Sequence, residues 1–299
     1  MPKPITVLVA GATGRQGGAV ARLLLESGHR VRALTRNPGS QRAASLHVLG
    51  AELHEGDLDD RAAVRRAADG VDAFFLMTTP FEEGAEAEAR QGQRAAEAAR
   101  DAGVKHLVFS SVGGANHETG VPIFESKRAI EAHLAQLGLP FTVVAPPYFM
   151  ENLLGPPSLA TLRAGTLSLP LPPGRRLQMV ALADLAGIVR LVLERPGELA
   201  GRRIDLASDD LTGAEAAAAL AGVIGRDLAY AETPLEAVRA RSEDDFRMWE
   251  WLGRVGHDTD LGALHRAFPE VSWHSLAAWA REQDWSVLEA GDAVPPRVR

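Results

Sequence analysis

In this 299-residue chain the residue types best able to do chemistry cluster near the start, at Gly11-Ala12-Thr13-Gly14-Arg15-Gln16-Gly17-Gly18. The spacing is G-x-x-G-x-x-G, directly after an apolar run at residues 5–10 and at the opening of a helical pattern. Gly11 permits a tight turn, Gly14 lets the backbone approach a pyrophosphate, and Gly17 lets the helix pack close to the sheet. The helix N-terminus then turns free N–H groups and a positive dipole end toward phosphates. Thr13, Arg15 and Gln16 lie in the same loop and are predicted to contact the same ligand. The bland alternative is a structural turn that holds nothing.

The residues after the second apolar run decide which dinucleotide is expected. Folds that bind NAD place an acid there to hold the ribose hydroxyls. This chain has Leu34-Thr35-Arg36-Asn37 instead. Arg36 carries a planar, always-charged fork suited to a phosphate, with Asn37 beside it, and Arg15 and Arg42 could contribute. No carboxylate competes at that position in the sequence, so NADP(H) is the predicted cofactor; the alternative is a solvated loop arginine. Two further stretches should line the same crevice, beyond the C-terminal ends of the strands. Gly56-Asp57-Leu58-Asp59 follows the third run, where Asp57 could bond an adenine amino group and Asp59 could equally cap the next helix. Thr78-Thr79-Pro80 follows the fourth and should lie along the ribose or pyrophosphate.

These loops need a scaffold, and the first half of the chain supplies an alternating one. Strands are expected at residues 5–10, 31–35, 51–55, 73–77, 105–110 and 141–145. Helices are expected from residue 19, at 59–68, at 82–102 and at 126–137, with residues 37–39 stopping the second strand. Apolar strands separated by helices imply an α/β fold, a Rossmann-type doubly wound parallel sheet covered on both faces. Prolines cluster from Pro146 to Pro173 and break the alternation. The expected division is therefore a dinucleotide-binding domain at 1–150, to which 180–208 return with a helix at 182–194 and a strand at 203–207. A smaller, mostly helical domain takes 151–179 and 209–290, with a tail at 291–299. Trp249, Trp251, Trp273 and Trp279 are expected in the core of the small domain.

Composition narrows the classes. Lys and Arg number 32 against 39 Asp and Glu, a net charge of −7, which argues against a nucleic-acid binder. There is no cysteine, which removes disulfides, thiolate metal sites and thiol nucleophiles together. The nine histidines show no H-E-x-x-H spacing, His265 and His274 are too far apart for a helical metal pair, and Ser110 has no G-x-S-x-G around it. No targeting or membrane-length segment is apparent, so a cytoplasmic protein with no membrane partner is expected, as monomer or homodimer. The acidic run at 82–88 reads as a solvated helix start, where carboxylates are favoured.

The chain resembles the NmrA-like family, an atypical branch of the short-chain dehydrogenase superfamily. The likeness rests on Val9-Ala10-Gly11-Ala12-Thr13-Gly14-Arg15-Gln16-Gly17-Gly18, on Leu34-Thr35-Arg36-Asn37-Pro38, and on Tyr148-Phe149-Met150-Glu151-Asn152-Leu153. It extends through residues 180–184 and the tryptophan-bearing C-terminus, and Phe124-Glu125-Ser126-Lys127 is similar to the matching part of NADPH-sensing members. The resemblance implies further cofactor contacts at Pro146, Tyr148 and Asn152. A departure is Ala145-Pro146-Pro147, where many relatives have an arginine before the proline and a glycine after it.

The superfamily's usual chemistry uses a tyrosine acid/base with a lysine four residues later. Here Tyr148 is followed by Asn152, Tyr230 by Pro234, and the position four before Lys127 is Ile123. That mechanism is absent. Lys127, in a chain with only Lys3 and Lys105 besides, is nevertheless expected at the start of a helix, reaching the nicotinamide ribose and serving as the one candidate catalytic residue. Ser110 and Ser111 are expected to bond cofactor or local backbone. Three functions compete. The first, which the missing tyrosine and the family both support, is a sensor that holds NADP(H) and signals to a regulatory protein partner. The second is an NADPH-dependent reductase of quinones or related small carbonyl or enone substrates, in which Lys127 could act as acid/base. The third, a sugar-nucleotide epimerase, is disfavoured by the missing tyrosine. A hydrophobic cleft lined by Phe81, Phe149, Met150 and Leu153 is expected beside the nicotinamide.

Overall fold

A computed structural model describes residues 3–289; the tail expected at 291–299 lies outside the described residues. The chain forms two compact units. The first comprises Met1–Pro147, Leu182–Ala207 and Thr259–Ser272; the second comprises Tyr148–Ala181, Ser208–Asp258 and the chain from Trp273.

The first unit is a Rossmann-type α/β fold. Its strands are β1 (Thr6–Val9), β2 (Arg30–Thr35), β3 (Glu52–Glu55), β4 (Ala73–Met77), β5 (His106–Ser110) and β6 (Phe141–Ala145), with Arg203–Asp205 as the seventh. The order across the sheet is Arg203–Asp205, β6, β5, β4, β1, β2, β3, and every neighbouring pair is parallel. Strand order reverses between β1 and β4, so the crevice where ligands bind in such sheets opens beyond their C-terminal ends. The helices are α1 (Arg15–Glu26), α2 (Gln41–Val48), α3 (Arg61–Ala68), α4 (Ala85–Asp101) and α5 (Pro122–Leu137), plus Leu182–Glu194. Leu8, Phe74, Phe75, Leu107 and Phe109 are fully buried, as near-continuous apolar strands covered on both faces must be.

Several boundaries differ from expectation for local reasons. Helix α2 follows the 37–39 turn unannounced, started by Ser40, whose hydroxyl accepts from the Ala43 N–H at 3.2 Å. Helix α5 begins at Pro122 rather than residue 126, because a proline at the first helical position gives up an N–H the helix does not use. Asp60, not Asp59, caps α3, accepting from the Ala63 N–H at 2.9 Å. Thr259–Ser272 belongs to the first unit rather than the small domain. Val271 packs on Gly187 there, and Arg195 pairs with Glu270.

The second unit adds short strands to its helices. Asp209–Thr212, Arg176–Val180 and Tyr148–Phe149 form a three-stranded sheet, and Ala229–Glu232 pairs with Thr166–Leu169. Its core gathers Met150, Leu153, Leu162, Leu220, Trp249 and Trp279. Trp279 meets Trp285 edge to face at 6.2 Å and donates to Glu151 at 3.0 Å. Met150 and Leu153 have no exposed surface, so they serve this core and cannot line the expected cleft.

Candidate dinucleotide-binding site

The glycine loop leaves β1 through Gly11, whose φ of +62° is the left-handed conformation that favours glycine. The Gly14 N–H bonds the Gly11 carbonyl at 2.8 Å and closes the turn. A Cβ at Gly11 would strike the Met77 side chain at the end of β4, and one at Gly17 would lie 2.6 Å from the Ala10 carbonyl. The α1 backbone therefore sits as near the sheet as a glycine allows. Gly14 caps α1 without a side chain, so the first-turn N–H groups receive no bond from the cap. A cradle that side chains would fill, at the N-terminal end of a helix and at the sheet's reversal point, fits a dinucleotide pyrophosphate. Beside it, Thr13, Gly14, Arg15, Arg22, Arg42 and Leu46 line a pocket of about 260 Å³. Arg22, one of three arginines there, was not singled out in the sequence. Gln16 is engaged within the fold, donating to the Ser110 hydroxyl at the end of β5.

The loop after β2 departs from expectation. Arg36 is bound in a fork by Glu82, Nη2 to Oε1 at 2.8 Å and Nη1 to Oε2, and its Nε lies 3.8 Å from Asp57. The expectation that no carboxylate competes at Arg36 is corrected: the competitor arrives from the turn after β4, through a contact between residues far apart in sequence. The fork holds the Glu82 carboxyl below the usual carboxylate range and raises the Arg36 guanidinium above its ordinary value. Asn37 shapes its own turn, accepting from the Gly39 N–H at 3.1 Å. Asp57 accepts from the Asp59 N–H at 3.0 Å, and Leu58 packs against the sheet's core.

Lys127 is neither in the first turn nor solvated. It sits in the second turn of α5, buried, with Nζ 2.8 Å from Glu88 Oε1 and donating to the Thr78 carbonyl at 2.9 Å and the Thr78 hydroxyl at 2.8 Å. An ammonium has three donors, and these contacts use them all. Glu88, from the run expected to be solvated, is buried and also accepts from the hydroxyls of Thr78 and Ser126. Burial pushes the Lys127 ammonium below its ordinary value and Glu88 opposes that push. Ser111 donates to Glu131, which also binds Arg203. Thr79 receives the Phe81 N–H at 3.4 Å, and the Pro146 carbonyl accepts from Gly113 at 2.9 Å.

The first unit thus brings together the glycine loop, Arg36, Asp57, Thr78 and Lys127 at one end of its sheet. Tyr148 and Asn152 belong to the second unit. Burial raises the Tyr148 phenol well above its ordinary value, and its ring lies 5.8 Å from Trp249. No cluster of potential metal ligands occurs among the described residues, and no helix among them is long and apolar enough to cross a membrane.

Comparison with known proteins agrees with this architecture. The chain is 32% identical over 235 residues to an NAD(P)H azoreductase of Xenophilus azovorans, covering 78% of this chain and 79% of that one. It is 33% identical over 241 residues to a (4-alkanoyl-5-oxo-2,5-dihydrofuran-3-yl)methyl phosphate reductase of Streptomyces griseus subsp. griseus, covering 78% and 79%. Its fold matches the negative transcriptional regulator NmrA in complex with NADP, with a TM-score of 0.74 at 22% identity over 93% of this chain and 95% of that one. The profile of the NmrA-like family matches residues 3–260, the whole first sheet and most of the second unit included, and the chain belongs to that family.

Proposed function

We propose that this protein binds NADP(H) and is a reductase of acceptors, such as quinones or azo compounds, that need no proton from a protein side chain. The observation that carries the reading is the union of an open glycine cradle, flanked by Arg15, Arg22 and Arg42, with a lysine whose donors are all engaged. Together with Arg36 after β2, these arginines supply the charge that a cofactor's extra phosphate seeks. When bound, the cofactor supplies a hydride; the one proton that completes each two-electron reduction comes from water. The chain's part is to bind and orient. Two reductases more than 30% identical to this chain favour turnover over pure sensing, and Lys127 is reassigned from acid/base to scaffold.

The test mixes the protein with NADPH and a panel of quinones and azo dyes while nicotinamide absorbance is followed. Turnover above about 1 per second with one acceptor class, within the ordinary range of enzymes, is the expected result. Tight NADPH binding without turnover on any acceptor would favour the sensor instead, a reading that the engaged donors of Lys127 also support.

A further inference from the structure

We infer that Glu82 is a built-in competitor for the phosphate that distinguishes NADPH from NADH, and so sets how strongly this protein prefers one over the other. The inference rests on the cofactor reading above and assigns a residue that reading does not use. A carboxylate and a phosphate monoester ask the same thing of a guanidinium, two parallel N–H donors in one plane. Glu82 already takes both Nη groups of Arg36, and Asp57 stands 3.8 Å from the remaining Nε edge. A phosphate reaching Arg36 must displace one carboxylate or sit beside two like charges. A ribose hydroxyl faces no such conflict, because carboxylates accept hydroxyl hydrogen bonds.

Geometry makes the contact exchangeable. The side chains of Arg36 and Glu82 are 62% and 54% exposed, so the pair is hydrated and screened. Glu82 rides on a short turn closed by the Gly84 N–H on the Pro80 carbonyl at 2.8 Å, with Gly84 at φ +87°. The root of that turn, Thr78, is tied to Lys127. The carboxylate is thus delivered from a fixed base on a solvent-exposed tip, with Phe81 beside it 83% exposed.

The experiment measures dissociation constants for NADPH and NADH, by nucleotide fluorescence, in the wild type, Glu82→Gln, Arg36→Ala and the double variant. Glutamine keeps the shape and removes the charge, and the site is exposed enough for folding to survive. The expected result is NADPH binding about fivefold tighter in Glu82→Gln, the scale of one exposed ion pair, with NADH changed by less than about twofold. The gain should vanish when Arg36 is absent. An unchanged NADPH-to-NADH ratio in Glu82→Gln, or a gain that persists without Arg36, overturns the role of Glu82. If the wild type binds neither nucleotide, or if removing Arg15, Arg22, Arg36 and Arg42 together leaves NADPH affinity unchanged, the cofactor reading itself falls, and the inference with it.

Discussion

Arg36 and Lys127 are both cations at the C-terminal end of one sheet, and both meet carboxylates from the same short run, residues 82–88. Glu82 holds Arg36 at the surface; Glu88 holds Lys127 inside, where the two side chains are 10% and 0% exposed. Water decides what each pair can do. The outer pair is screened and replaceable, and contributes about 1 kcal/mol at most. The inner pair has surrendered its hydration, so its ions are committed to each other and to Thr78 and Ser126. A charge near a ligand crevice is therefore available to the ligand only where solvent already competes for it.

The largest consequence lies at the inner pair. Lys127→Met should cost about 3–5 kcal/mol in urea unfolding, because it strands the Glu88 carboxylate inside the fold. Lys127→Met combined with Glu88→Gln should recover most of that loss, since the amide still bonds Thr78 and Ser126. If Lys127→Met unfolds within about 1 kcal/mol of the wild type, the pair is not truly desolvated. The lysine would then be free to serve a cofactor, and the contrast between the two sites would disappear.

Arg36→Ala probes the outer pair and should reverse the pattern. Stability should move by less than about 0.5 kcal/mol, as for an ordinary surface change. NADPH affinity should fall about tenfold, the worth of one charge-assisted hydrogen-bonded contact, with NADH far less affected. Calorimetric titration with each nucleotide checks this. Equal losses for both cofactors would mean that Arg36 supports the loop rather than a phosphate.

How far these sites could be read from sequence follows the same division between local and distant causes. The glycine loop and β1–β6 were legible because their signals are contiguous: glycines at a strand–helix junction and apolar runs buried on both faces. Helix α2 was not, since only Ala43 and Leu46 of its eight residues are buried and no apolar stripe marks it. The strands of the second unit are two to five residues long and include polar stretches such as Asp209–Thr212, which carry no alternation to detect. The scarcity of lysine drew attention to Lys127, but its contact with Glu88, on another helix, has no local signal. Glu82 was hidden for the same reason. Nothing in a run of glutamates says that one will be buried under a lysine and another will close on an arginine.

A third buried titratable group sharpens the comparison, with the smallest expected effect. His106 opens β5, the strand whose Phe109 ring lies 5.5 Å from the Lys127 ammonium. It is 4% exposed, its Nε2 meets the Thr142 hydroxyl at 2.9 Å, and its Nδ1 has no hydrogen-bond partner among the described residues. Lys127 has a carboxylate to set against its burial; His106 has only a neutral hydroxyl. Burial accordingly pushes its pKa below the ordinary histidine value. The sign follows from proton counting. Where the unfolded chain binds a proton that the fold refuses, stability rises as the pH rises. The contribution of His106 is thus whole above about pH 6.5 and is lost as the pH drops through the lower, folded-state value. Glutamine at this position can still bond Thr142 but cannot titrate. The wild type should therefore lose on the order of 1 kcal/mol more than His106→Gln between about pH 7 and 5 in urea unfolding. Parallel pH profiles for the two proteins would mean that the ring keeps its proton inside the fold. An uncompensated buried charge would then be tolerated here, and the commitment of Lys127 to Glu88 could no longer be ascribed to the cost of burying a charge alone.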